Sequence, residues 1–397
     1  RNIMRIEEIC VRKAGIKSSI RTAVISFSEM TLSVVRIRFD HGGKTVDGYG
    51  FCSNGRYAQN EIIEQRFVPR ILASNPDHLL DESGLPDPLK IWDGFMQNEK
   101  PGGHGDRAVA AGALDMAVWD GVAKLAEKPL WQLLSERFNA GQSDEEVLVY
   151  PGGGYYYPGK EISGLQEEFK RYLDQGYRYL KMKIGGEVLS TDMRRIEGAI
   201  DVMEGPGFLA VDANARFDLE TALAYGLEME SLGLFWYEEP LDPEDFLGHS
   251  ILAENYSGSL ATGENLFSRH GLLNLLRHGG LRPDRDWIQL DPALAYGLTE
   301  YLKVIEILEN HGWSRRRLIP HGGHQLALNA AAGLQLGGSE SYPGVFHPFG
   351  GFADNIPVNQ GRTRLHDTPG IGIELKPELH SKIPVSYTHL RAHETRL

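Results

Sequence analysis

The strongest constraint on the fold is a series of ionisable residues in phase with a series of apolar runs. From about Val147 onward, short apolar runs alternate with longer stretches of helical pattern. The runs are 147–150, 179–183, 208–211, 234–237, 259–262, 287–290, 318–320 and 345–347. Helices are expected between them over 163–175, 191–203, 219–231 and 298–311. Strands that alternate with helices predict βαβ units and a parallel sheet. Eight such units predict a closed barrel rather than an open sheet.

Lys183, Asp212, Glu238, Glu264, Asp291 and His321 stand at or just past the ends of six consecutive runs. Their separations are 29, 26, 26, 27 and 30 residues. One βα unit has about that length, and barrels of this kind build their active sites at the carboxyl ends of the strands. The six side chains are therefore expected to converge on one rim.

Their chemistry is specific. Lys181 and Lys183 are two apart, so in a strand they share a face. On an edge strand such lysines would only discourage aggregation. Beside carboxylates they belong to a site, where Lys181 is expected to lower the pKa of Lys183 and to pair with a substrate carboxylate. Asp212, Glu238 and Glu264 fall on three successive strands and repel one another unless a cation holds them. All-oxygen ligands select a hard ion, Mg²⁺ first and Mn²⁺ as a substitute. In 236–240, strand alternation lets only one of Glu238 and Glu239 face inward. Asp291 is placed to orient the imidazole of His321, with His324 competing for that role.

Residues 1–125 read as α+β. A hairpin is expected from 31–39 and 45–51 across 41–43, followed by helices over 60–72 and 106–125. The second helix puts Ala110, Leu114, Ala117 and Val118 near one face. Polar loops at 53–57 and 98–105 are candidates for ligand contact.

The 397-residue chain carries a formal net charge of −13, which disfavours nucleic acid and anionic lipid as partners. No apolar run is long enough to span a bilayer. Two cysteines, Cys10 and Cys52, supply neither a disulfide framework nor metal-ligand spacing. A cytoplasmic protein is expected.

Lys181-Met182-Lys183, Val211-Asp212-Ala213-Asn214, Tyr237-Glu238-Glu239-Pro240, Thr262-Gly263-Glu264 and the Asp291/His321 pair resemble the enolase superfamily, in its mandelate-racemase-like subgroup. The resemblance runs over nearly all of residues 1–384. It implies a modified (β/α)₇β barrel (126–350), an α+β capping domain (1–125) and a C-terminal segment (351–384) that returns to the cap. It also implies that Asp212, Glu238 and Glu264 bind one Mg²⁺ per subunit. Lys183 and the His321–Asp291 dyad are implied to do acid/base work, in a homo-oligomer acting on a small hydroxy acid. The loops 98–105, 152–160, 282–287 and 319–325 resemble more narrowly the D-tartrate dehydratases. That implies loss of water from D-tartrate to give oxaloacetate, with another acid sugar or a racemisation as alternatives. Asn54, Lys100, Tyr155, Tyr156 and Glu340 are the expected substrate contacts. Thr22 and Cys52 depart from the family pattern in the cap. The stretch 385–397 resembles nothing in the family and is expected to be non-native, with Met4 as a natural start.

Overall fold

The amino-terminal layer is organised by glycines that let backbones touch. Strands β1 (Arg5–Gly15), β2 (Thr31–His41) and β3 (Lys44–Phe51) form an antiparallel sheet with β2 in the centre. The hairpin expected from the sequence is β2–β3; β1, rich in charged residues, was not anticipated. The helix Asp106–Leu125 lies across this sheet. A Cβ added at Gly48 or Gly50 would stand 2.1 or 2.3 Å from the carbonyl oxygens of Ala117 or Ala113. The same helix meets the barrel on its other side, where a Cβ on Gly112 would stand 2.2 Å from the carbonyl oxygen of Ala293. It is therefore buried nearly all round, which explains its alanine-rich composition. The expectation of a single apolar face is corrected accordingly.

In this computed structural model the described residues are 3–16, 18–53, 55–353 and 356–383. The segment 385–397 and Asn54 lie outside them. No helix among the described residues is long and apolar enough to cross a membrane.

The barrel begins with β4 (Glu146–Pro151) and continues through β5 (Leu180–Lys183), β6 (Leu209–Asp212), β7 (Trp236–Glu238), β8 (Leu260–Thr262) and β9 (Trp287–Ile288). Strands β5 to β9 are parallel neighbours in order, and a bridge between Gly152 and Lys181 joins β4 to β5. The seventh position is a single parallel bridge, Ile288–Leu318. The eighth strand is β10 (Ser339–Ser341), parallel to β4, and it closes the barrel. The expected eighth run, 345–347, is not a strand; its apolar Val345 and Phe346 pack onto the core instead. Short, polar Ser339-Glu340-Ser341 carried no strand signal because both of its neighbours in the barrel impose its conformation. Inside the barrel, Tyr150, Ala210, Trp236, Ala261 and Ile319 form their own buried cluster, a floor beneath the carboxyl rim.

After the barrel, β11 (Val358–Asn359) and β12 (Arg362–Arg364) form a small hairpin whose second strand pairs antiparallel with β4. The chain then reaches the cap, where the Ile371 N–H donates to Asp120 Oδ1 at 2.7 Å and Glu374 pairs with Lys124.

Candidate active site

Alternation along the strands sorts the rim. Lys181 and Lys183 on β5, Asp212 on β6 and Glu238 on β7 are all buried. Glu264 lies just beyond β8 and His321 just beyond the seventh strand position. One carboxylate oxygen each from Asp212, Glu238 and Glu264 lies within 4.8 Å of the others. These acids oppose one another's ionisation. Burial and the neighbouring Asp212 push Glu238 well above the usual carboxylate range. Burial acts on Asp212 in the same direction, but Lys183 and Lys181 outweigh it and hold Asp212 at about 2.

Lys183 Nζ donates to Asp212 Oδ2 at 2.6 Å and faces the cavity. Lys181 does something else. It is 1% exposed, and its ammonium lies 2.9 Å from Glu238 Oε1, 2.6 Å from Glu340 Oε2 and 3.4 Å from Asp212 Oδ2. Burial works against its charge, but Glu238 and Glu340 outweigh that and raise it well above the usual lysine range. The expected contact between Lys181 and a substrate carboxylate is corrected: its charge is spent inside the wall. Glu340 likewise sits behind the cavity, held at about 2 against its burial by Lys181 and His321.

His321 Nδ1 lies 2.9 Å from Asp291 Oδ2, and its Nε2 lies 3.1 Å from Glu264 Oε2. Burial opposes its positive charge, yet Glu264, Asp291 and Glu340 outweigh this and raise its pKa to about 10. His324 is excluded from the cavity. Its Nδ1 accepts the Ala327 N–H at 3.1 Å as a helix cap, which leaves Nε2 to donate to Asp291 Oδ1 at 3.1 Å. Asp291 is thus clamped by two imidazoles.

Glu239 corrects the rule that only one of the paired glutamates can face inward. The chain turns there with φ +40°, and Glu239 lines the cavity. Burial, Glu264 and Asp212 raise its pKa well above the carboxylate range, and Asn265 Nδ2 donates to both its oxygens at 2.9 and 2.8 Å.

The cavity above the rim measures about 490 Å³ and is shared by barrel and cap. Tyr155 and Thr22 line it. Tyr156 is turned away, its hydroxyl donating to Asp192 Oδ1 at 2.7 Å. Lys100 is exposed and its side chain is not part of the lining. Cys52 is fully buried outside the lining, and burial raises its thiol to about 11.

Two cap residues that the sequence reading passed over do line the cavity: Arg56 and His104. Arg56 hydrogen-bonds to Asn265 Oδ1 and stacks its guanidinium 4.5 Å from the Phe267 ring centroid. It forms no ion pair with a carboxylate among the described residues. His104 Nδ1 lies 2.8 Å from the Tyr296 hydroxyl, to which Arg107 Nε donates at 2.9 Å. Arg56 belongs to the polar loop 53–57 and His104 to 98–105, so the loops were visible; which side chain turned inward was not.

Residues 164–379 match the family described as "Enolase C-terminal domain-like", and residues 6–135 match the "Mandelate racemase / muconate lactonizing enzyme, N-terminal domain". The chain belongs to the enolase superfamily, in its mandelate-racemase-like subgroup. It is 30% identical over 358 residues to the L-talarate/galactarate dehydratase of Salmonella typhimurium, covering 88% of this chain and 82% of that one. It is 26% identical over 372 residues to the arabinonate dehydratase of Saccharolobus solfataricus, covering 89% and 91%. Among solved structures, the L-talarate dehydratase of Polaromonas sp. JS666, complexed with Mg and L-glucarate, aligns with a TM-score of 0.72 at 26% identity, over 93% and 94% of the two chains.

The donor set of this enolase-superfamily member fits a Mg²⁺ site. Asp212, Glu238 and Glu264 offer only oxygens.

Proposed function

We propose that this chain dehydrates an acid sugar, and that within this class its substrate is D-tartrate, converted to oxaloacetate and water. The observation that carries the reaction type is the placement of Lys183 and His321 on opposite sides of one carboxylate triad, each touching a different member of it. A neutral Lys183 accepts the α-proton of the bound acid. His321, protonated and oriented by Asp291, gives a proton to the departing β-hydroxyl. The resulting enol ketonises to the keto acid. A Mg²⁺ ion held by Asp212, Glu238 and Glu264 supplies Lewis-acid stabilisation of the charge that gathers on the substrate carboxylate. General base catalysis contributes only about 10²–10⁴-fold, so charge stabilisation at the rim carries the larger share.

Arg56 supports a dianionic substrate. It is a cavity-lining cation that makes no direct ion pair among the described residues, and it reaches from the cap to Asn265, next to Glu264. A second carboxylate on the substrate would complete it. That favours tartrate or a longer dicarboxylate over a monocarboxylate such as arabinonate. The loops 98–105 and 152–160 favour tartrate. The cavity volume and the talarate/galactarate relative favour the second reading, a six-carbon dicarboxylate.

The test is a panel of acid sugars offered to the Mg²⁺-supplemented protein. Keto acid from D-tartrate, detected by NADH oxidation through malate dehydrogenase, is the expected result. Keto acid from galactarate but none from tartrate would replace the substrate and keep the reaction. Loss of optical rotation without keto acid would replace the reaction by a racemisation.

A further inference from the structure

Of the run 152–160, with its three consecutive tyrosines, only Tyr155 lines the main cavity. The rest of the run is held from outside by two barrel helices. From Leu189–Ile200, Arg195 donates through Nη1 to the carbonyl of Lys183 at 2.7 Å and through Nη2 to the carbonyl of Gly154 at 3.1 Å. From Ile162–Asp174, Glu168 accepts the Gly154 N–H at 2.8 Å. Asp192, one turn before Arg195 and fully buried, accepts from four donors. They are Arg195 Nη1 at 3.1 Å, the Tyr156 and Tyr225 hydroxyls at 2.7 Å each, and the Gly185 N–H at 2.7 Å.

This network meets a weakness in the strand. Lys183 is the last residue of a four-residue strand and is followed within two positions by Gly185, at φ +90°, and then Gly186. A side chain anchored beside such a turn has a soft base. Gly154 has no slack either: a Cβ there would stand 2.5 Å from Met182 Cβ. The loop that carries Tyr155 and the strand that carries Lys183 are thus locked together, with Lys183 Nζ 5.3 Å from the Tyr155 ring centroid. A displacement of about 1 Å in a reacting group costs on the order of 10²-fold in rate.

We propose that Asp192 and Arg195 are positioning residues that fix Lys183 and Tyr155 against each other at the cavity wall, and that Tyr156 serves this brace rather than the substrate. The rate effect rests on the reading of Lys183 as the base; the mechanical effect does not. Arg195→Gln, Arg195→Lys and Tyr156→Phe are compared with the unaltered full-length chain by steady-state kinetics and by amide hydrogen–deuterium exchange. In Arg195→Gln, kcat falls about 10- to 100-fold with KM within about twofold. Arg195→Lys recovers part of that loss, and Tyr156→Phe loses about threefold. Exchange in the peptide spanning 180–187 speeds up, while peptides covering β7 and β8 stay as they were. An Arg195→Gln protein with unchanged kcat, or with exchange raised evenly over the barrel, overturns the proposal. Should Arg195→Gln fail to fold, Tyr156→Phe decides: unchanged kcat and unchanged exchange at 180–187 contradict the brace. If the unaltered protein turns over no acid sugar, the reading of Lys183 as the base falls. Exchange at 180–187 then still decides whether the brace holds the strand.

Discussion

The barrel rim and the cap loops face the same cavity but are built by different rules. At the rim Lys183, Asp212 and Glu238 sit at strand ends, so their direction follows from strand alternation and their neighbours from strand order, and Glu264, Asp291 and His321 follow within three residues of their own strand positions. Lys183, Asp212 and Glu238 occupy matching positions on three adjacent strands. In the cap, Thr22, Arg56 and His104 reach the cavity from irregular loops, and the last two are set by contacts more than 150 residues away, Arg56 with Asn265 and His104 with Tyr296. On the proposed function, the rim carries the reaction and the cap selects what reacts. Changes at the rim should abolish chemistry, and changes in the cap should redistribute it among substrates.

The largest effect is expected from the rim. Glu238→Gln removes a ligand and unbalances Lys181, so Mg²⁺ affinity measured by calorimetry should fall by more than the about 10- to 100-fold typical of outer-shell partners, and turnover should vanish with it. Binding as tight as in the unaltered protein would separate Glu238 from the metal. His321→Asn comes next. It removes the proton donor but leaves Lys183 in place, so elimination should drop by about 10²–10⁴-fold while α-proton exchange in D₂O persists. Loss of both together would make His321 part of the proton-abstraction step and blur the division of roles across the rim.

Cap changes should be smaller and selective. Arg56→Gln should lower kcat/KM by about 10- to 100-fold for a dicarboxylate, through the loss of a charged hydrogen bond, and by much less for a monocarboxylate. Equal losses for both would remove Arg56 from substrate selection. Lys100→Ala, at an exposed position outside the lining, should change kcat/KM by less than about twofold.

The smallest effect concerns the seam between the two regions. Asp115 on the cap helix accepts the Thr299 N–H at 3.0 Å and the Thr299 hydroxyl at 2.8 Å from the barrel side, and burial raises it to about 7 despite those bonds. Its folded value lies above the unfolded one, near 3.9. The native state therefore holds a proton that the unfolded chain has lost. The stability this contributes is complete below about pH 4 and disappears as pH rises through about 7. Melting temperature should fall over that window, and less steeply in Asp115→Asn. Identical pH slopes in the two proteins would show that Asp115 is not the titrating group at the seam.

The same contrast explains what could be read from the sequence. The phase of six ionisable residues identified the barrel and its rim, because period and strand order are local properties. Glu239 escaped because strand alternation stops applying where the chain turns at φ +40°. Ser339–Ser341 escaped because three polar residues become a strand only when β4 and the chain at Pro320 offer partners on both sides. Tyr155 and Tyr156 are adjacent and chemically equal in the sequence. The buried Asp192, 36 residues on from Tyr156, holds Tyr156 away from the cavity together with Gly186 and Arg195. The role of Lys181 was misjudged for a similar reason. Its partner Glu340 lies 159 residues away, on the strand that the apolar pattern did not reveal.

The most direct test of the division between rim and cap is ¹H NMR of D-tartrate incubated in D₂O with Mg²⁺ and either the unaltered protein or Lys183→Ala. The unaltered protein should consume tartrate and form oxaloacetate, and Lys183→Ala should give neither oxaloacetate nor deuterium at the α-carbon. Oxaloacetate formed by Lys183→Ala at the rate of the unaltered protein would contradict the account, because proton abstraction would then not belong to the rim lysine.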